Sequence, residues 1–117
     1  MATEYPAFDA KAIEQAIDTG RRHAEALQKG PRQLSADHGE LKVSAQCISL
    51  SVQNGKVCLN LPLGLGSVCL PVPSWVPGGA TVQACLDICT VLGIPCGVEI
   101  TVSFNGQRIV QKGFGCC

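Results

Sequence analysis

The sequence predicts an α+β domain: an N-terminal amphipathic helix packed on an antiparallel β-meander of five or six strands braced by disulfides. Three observations carry that expectation. Residues 8 to 28 place apolar side chains at spacings of three, four and five, the rhythm of one helical face. From Leu41 onward apolar and polar residues alternate around two Asn-Gly pairs, Asn54-Gly55 and Asn105-Gly106. All eight cysteines lie from Cys47 to Cys117, whereas twelve of the eighteen Asp, Glu, Lys and Arg residues lie in residues 1–40. The chain divides accordingly into a charged helix and linker, 1–40, and a cysteine-rich β body, 41–117. At 117 residues the two halves make one folding unit with one modest core. A small β-sandwich with an N-terminal helix is the competing arrangement.

The helical stripe runs through Phe8, Ala12, Ile13, Ala16, Ile17, Gly20, Ala24 and Leu27, with Lys11, Glu14, Asp18, Arg21, Arg22 and Glu25 mostly opposite. Asp9 is placed to cap its start, and Gly30-Pro31 supplies a stop signal. The polar face mixes both signs, which argues against a membrane-surface helix. A helix laid on the sheet of its own domain is the leading reading, and a leader segment recognised by export or processing machinery is the sharper one. Arg32 to Glu40 reads as a polar linker.

In the body, a two-residue turn at Asn54-Gly55 sets a register in which Val52 faces Val57, Leu50 faces Leu59, and Ile48 faces Leu61. The other face of that hairpin pairs Ser51 with Cys58, Ser49 with Asn60, and Cys47 with Pro62. The second turn puts Val102 opposite Ile109, Ile100 opposite Gln111, and Glu99 opposite Lys112 as an ordinary cross-strand ion pair. Between the hairpins Val68 to Val72 reads as a short strand, which Pro71 and Pro73 place at an edge. Trp75, beside prolines, reads as a lid on the core. Residues 81–91 fit either a helix or a strand with Val82, Ala84, Leu86 and Ile88 on one face, and the β-branched content favours the strand. Cys47, Cys58, Cys85 and Cys89 then lie opposite the aliphatic face, leaving that face to the helix.

Composition excludes several function classes. Lys and Arg balance Asp and Glu at nine each, and only five residues are Phe, Trp or Tyr, so neither a phosphate-binding stripe nor a base-stacking platform is present. No apolar run reaches the ~18 residues of a membrane-spanning helix. Leu63-Gly-Leu-Gly-Ser67 is glycine-rich but does not match a phosphate loop. Cys85-x3-Cys89 followed by Cys96 is the nearest approach to a metal knuckle, but His23 and His38 are remote in sequence, and disulfides are the stronger expectation. There is no Cys-x-x-Cys redox motif and no Gly-x-Ser-x-Gly elbow, and the body's acids, Asp87 and Glu99, would have to meet to act as an acid–base pair. No catalytic, metal or cofactor residue is assigned.

The terminal Cys116-Cys117 resembles the prenylation signal of the Rab family of small GTPases, over those two residues only, and two structural half-cystines are the preferred reading. Eight cysteines also match the count in hydrophobins and plant lipid-transfer proteins. Both families carry an adjacent Cys-Cys inside the chain, and neither assignment is carried over.

An even, dense set of eight cysteines (Cys47, Cys58, Cys69, Cys85, Cys89, Cys96, Cys116 and Cys117) points to a disulfide framework in an extracellular or otherwise oxidising compartment. The opening Met-Ala-Thr-Glu-Tyr-Pro shows no apolar signal-peptide region. The function expected is a non-enzymatic extracellular protein that binds a protein partner, assembles with itself or coats an interface. Its expected surface comprises Leu61, Leu63, Leu65, Leu70, Val72 and Trp75. Two alternatives are a small carrier holding an apolar ligand such as a lipid between helix and sheet by Phe8, Ile13, Ile17, Leu50, Leu59, Leu61 and Val102, and a secreted precursor whose first 40 residues are a leader.

Overall fold

In the computed structural model the backbone is described over residues 5–29 and 40–117, and the side chains over 5–25 and 42–117. The Gly30-Pro31 stop, linker residues 32–39, His38 among them, and the side chain of Leu27 lie outside the described residues. The elements are α1 (Ala10–Lys29), β1 (Glu40–Ser51), β2 (Lys56–Leu61), β3 (Gly66–Pro71), β4 (Thr81–Val91), β5 (Ile94–Phe104) and β6 (Gln107–Gly115). They form an α+β arrangement of one helix on antiparallel strands. The strands make two sheets instead of one meander: four strands in the order β1-β4-β5-β6, and a separate β2–β3 ribbon.

The helix starts where the sequence signals it. Asp9 Oδ1 accepts the Lys11 N–H at 3.0 Å, and the Asp9 carbonyl accepts the first intrahelical bond, from Ile13 N–H, at 3.1 Å. Gln46 Oε1 accepts the Asp9 N–H at 2.7 Å and pins this end to β1. The apolar stripe faces inward, with Ile13, Ala16 and Ala24 buried and Phe8 and Ile17 packed against the core. At the middle of the helix, a Cβ on Gly20 would stand 2.9 Å from Thr90 Cγ2, so glycine permits this approach to β4. On the outward face Asp18 pairs with Arg22 at 2.8 Å.

Residues 81–91 are a strand, as their β-branched content favoured. Val82, Ala84, Leu86 and Ile88 are at most 2% exposed, and Val98, Ile100 and Val102 on the neighbouring β5 are fully buried. This aliphatic face is covered by α1 toward Thr90. The ribbon contributes Val57, Leu59, Leu61 and Leu70 to the same core. Helix and ribbon thus form one layer and the four-stranded sheet the other.

The first hairpin departs from expectation. The Asn54-Gly55 turn forms, with Gln53 and Lys56 exchanging backbone bonds of 2.9 and 3.1 Å. Beyond it β1 and β2 part. β1 pairs with β4 (Leu50 with Val82, Ile48 with Ala84) and β2 with β3 (Val57 with Leu70, Leu59 with Val68). None of the six expected β1–β2 ladder pairs forms, neither Val52–Val57, Leu50–Leu59 and Ile48–Leu61 nor Ser51–Cys58, Ser49–Asn60 and Cys47–Pro62. The physical reason lies in the aliphatic rows themselves. In one ladder they would share a face and need external cover; parted, they close on one another within a common core.

The second hairpin differs by one residue. Ser103 pairs with Arg108 and Val102 with Val110, so Ile109 is a bulge and every later pair shifts. The expected pairs Val102–Ile109, Ile100–Gln111 and Glu99–Lys112 are replaced by Val102–Val110, Ile100–Lys112 and Glu99–Gly113.

All eight cysteines pair within the chain. Cys47–Cys85 and Cys58–Cys69 join direct ladder partners with Cα atoms 3.9 and 4.0 Å apart, and Cys96–Cys116 and Cys89–Cys117 tie the C-terminus to β5 and β4. The terminal pair is structural and forms no bond to another chain. To reach β4 the chain doubles back over the sheet. A Cβ on Gly113 would lie 2.7 Å from the Cys117 carbonyl oxygen, so that strand position must be bare. Two cystines join neighbouring strands, two tie the residues after β6 back to the four-stranded sheet, and none links that sheet to the ribbon or the helix.

Candidate functional site

Four tight turns share one backbone and divide by sequence. Asn54-Gly55, Leu63-Gly64, Leu92-Gly93 and Asn105-Gly106 all have positive φ at both central residues: 55° and 75°, 64° and 70°, 51° and 81°, 52° and 80°. That is the primed hairpin turn, which asks for Asn, Asp or Gly at its first central position. Two turns comply and two carry leucine. A leucine held in the left-handed region costs roughly 1 kcal/mol, because its Cβ crowds the following carbonyl. These leucines also face water: Leu63 is 39% and Leu92 52% exposed.

Each leucine has apolar company. Leu65 follows Leu63 on the β2–β3 turn, and Val91 and Ile94 flank Leu92-Gly93 on the β4–β5 turn; Ile94, at 68%, is the most exposed large hydrophobic among the described residues. Beneath the β4–β5 turn, Gly93 packs on the helix at Arg21 and Ala24, so a rigid seat presents these side chains.

The expected interaction surface is therefore only partly a surface. Leu63, Leu65 and Trp75 are exposed, while Leu61 and Leu70 are buried in the core and Val72 packs against it. Leu61 lies on the inward face of β2 and Leu70 on that of β3, as strand alternation requires. Trp75 is not a lid. It is 56% exposed, and its ring leans on Phe104 with centroids 6.1 Å apart and planes at 53°. Val91, Leu92 and Ile94 are not marked as a tip by local sequence, because Gly93 ends a helix as readily as it turns a hairpin. Once 81–91 is a strand, Val-Leu-Gly-Ile between two alternating runs is a hairpin tip, and its apolar residues are outside.

The outer face of the four-stranded sheet brings together the only two acids of β4 and β5. Asp87 and Glu99 are direct ladder partners. Each is engaged separately. Ser44 Oγ donates to Asp87 Oδ1 at 3.1 Å. Glu99 accepts from Gln111 Nε2 at 2.9 Å and from Lys42 Nζ at 3.0 Å, and Arg108 donates to the Gln111 carbonyl oxygen at 2.9 Å. The Gln111 hydrogen bond first, then Lys42, hold the Glu99 carboxyl below the ordinary glutamate range. A carboxylate so lowered is suited to pairing with Lys42. The cysteines Cys85, Cys89 and Cys96, the nearest approach to a metal knuckle, are oxidised in three different disulfides.

The residues expected to line a carrier cavity form part of the packed core instead. Ile13, Leu50, Leu59, Leu61 and Val102 are buried in it, and Phe8 and Ile17 pack against it. No helix among the described residues is long and apolar enough to cross a membrane. In comparisons with known protein families, curated proteins and solved structures, the chain matched none.

Proposed function

We propose that the protein is a non-enzymatic interaction protein of an oxidising, extracellular environment, working through apolar side chains displayed on its two Leu-Gly turns. The observation that carries this reading is the coincidence of two unfavourable features at Leu63 and Leu92. Each occupies a backbone state better suited to asparagine, and each exposes an aliphatic side chain to water. Fully removing a leucine side chain from water is worth roughly 1.5–3 kcal/mol. With Leu63 39% and Leu92 52% exposed, a partner that covers either recovers about 1 kcal/mol, comparable with what its turn loses.

The contact is with another protein, with a second copy of this chain, or with an apolar interface. Four disulfides support the compartment, because such a framework persists where thiols are not kept reduced. They also hold the strands in place while apolar residues stand outside. Engagement of Asp87 and Glu99 in separate bonds supports a role without catalysis.

The test is association of the oxidised protein over a wide concentration range, with adsorption to an air–water interface measured alongside. Concentration-dependent association or adsorption is expected, and both should fall in Leu63→Asn/Leu92→Asn. A protein that remains monomeric and stays out of the interface at every concentration would sink the reading.

A further inference from the structure

The parting of β1 from β2 opens a cleft of about 470 Å³ beside the Asn54-Gly55 turn. Ser49 to Ser51 of β1 form one wall and Lys56 and Cys58 of β2 another, with Tyr5 and Pro6 also lining it. Both main walls are strand edges, and ladder geometry gives the direction of their peptide groups. Along an antiparallel strand these groups alternate between the two edges. Val52 bonds toward the β4 side, donating to Ala80 at 2.9 Å and accepting from Gly79 at 2.8 Å, so Ser51 and Ser49 turn theirs to the opposite edge. The short Cα separation of Cys47–Cys85, 3.9 Å, independently marks that parity as the non-hydrogen-bonded one. On the other wall the 4.0 Å separation of Cys58–Cys69 says the same of Cys58. Asn60, two residues on, confirms it by donating its N–H away from β3 to the Pro6 carbonyl at 2.8 Å.

Two features make this a strand-binding site and not merely a gap. The chain's own Ala7 makes a single parallel bridge to Asn60 on this same edge of β2, so the edge accepts an extended backbone. Also, the exposed edge of β1 carries no charge from Ser44 to Gln53, so it lacks the lysine or glutamate that commonly blocks strand addition. Gln53 is closed off by its backbone bonds to Lys56, so Ser49 to Ser51 offers ~7 Å of edge, the reach of about two extended residues.

We propose that this cleft binds an extended segment of a protein partner by strand addition between β1 and β2, and that the segment carries an acidic side chain. Among the described residues Lys56 is the one charged residue lining the cleft, and it is exposed. Main-chain bonds to Ser49, Ser51 and Cys58 supply the recognition, and Lys56 selects the carboxylate. This rests on the reading of the protein as an interaction protein and gives it a polar site separate from the Leu-Gly turns.

The probe is the capped peptide Ac-Thr-Val-Glu-Val-Thr-amide, titrated into full-length, oxidised, 15N-labelled protein. The expected result is amide shifts centred on Ser49, Ser51 and Cys58. Methylating alternate peptide nitrogens should abolish them. Either Lys56→Gln or glutamine in place of the peptide's glutamate should weaken binding about two- to five-fold, the size of an exposed ion pair. The same shifts should persist in Leu63→Asn/Leu92→Asn, whose self-association is lost. Absence of shifts, indifference to N-methylation, or shifts centred on the Leu-Gly turns would overturn the proposal. Binding only after deletion of residues 1–4 would also overturn it, by giving the slot to the chain's own first residues. If the peptide fails while Leu-dependent association remains, this site falls and the broader reading stands.

Discussion

Leu92 and Asn105 occupy the same position of the same turn, with φ of 51° and 52°, and differ only in what the side chain is for. Asparagine is at ease there; leucine is not. Replacing Leu92 with asparagine should raise the unfolding free energy by roughly 1 kcal/mol, read from denaturant unfolding. Most core or surface substitutions lower stability, so a gain here would mark a residue kept for another purpose. No gain, or a loss, would show that the leucine is structurally needed. Glu99 gives a second residue-scale expectation. Its carboxyl is held below its ordinary value by Gln111 and Lys42, so it is more acidic folded than unfolded. Its contribution is fully present above about pH 4.3 and is lost as pH falls through the lower folded value. Glu99→Gln should therefore cost stability near neutrality and flatten its decline on the acid side. Parallel acid-unfolding curves for the two proteins would refute the assignment.

Among the elements, α1 is bound into the domain by Ile13 and Ala16 in the core and by Gly20 against Thr90. Ile13→Ala should cost about 2–5 kcal/mol, the range for a buried large-to-small change. A near-neutral effect would favour the reading of the first 40 residues as a dispensable leader. The disulfides divide by the chain they enclose. Cys47–Cys85 spans 38 residues and Cys58–Cys69 only 11, so loop entropy assigns them about 4 and about 3 kcal/mol. Paired Cys→Ser variants compared by thermal unfolding should rank in that order. Much of this was legible from local pattern. Asp9 declared the helix start, β-branched content favoured β4 as a strand, and the cysteines opposite the aliphatic face pointed to outer cystines. The sheet partners of β1 and β2 were not legible. A perfect Asn-Gly turn describes four residues, and which ladder follows depends on where two aliphatic rows find cover. The Ile109 bulge has no local signal either, since moving the ladder by one residue leaves the sequence unchanged. The exposed turn at Leu92 stayed hidden for a related reason: Gly93 ends a helix as readily as it turns a hairpin.

The whole molecule is a two-layer scaffold whose outer faces are stitched and whose core is shared between a helix, a ribbon and a sheet. That construction lets it carry exposed apolar turns without relying on a large core, and it leaves open edges beside the first turn. Both features are what the proposed contact with other molecules would use. The central claim is that the leucines of the Leu63-Gly64 and Leu92-Gly93 turns are there for that contact. Its most direct test is sedimentation velocity of the oxidised protein and of Leu63→Asn/Leu92→Asn, each from low to high concentration. The account expects larger species to grow with concentration in the unaltered protein and to vanish in the variant, which should unfold at an equal or higher temperature. A single monomer boundary for both proteins at every concentration would contradict it.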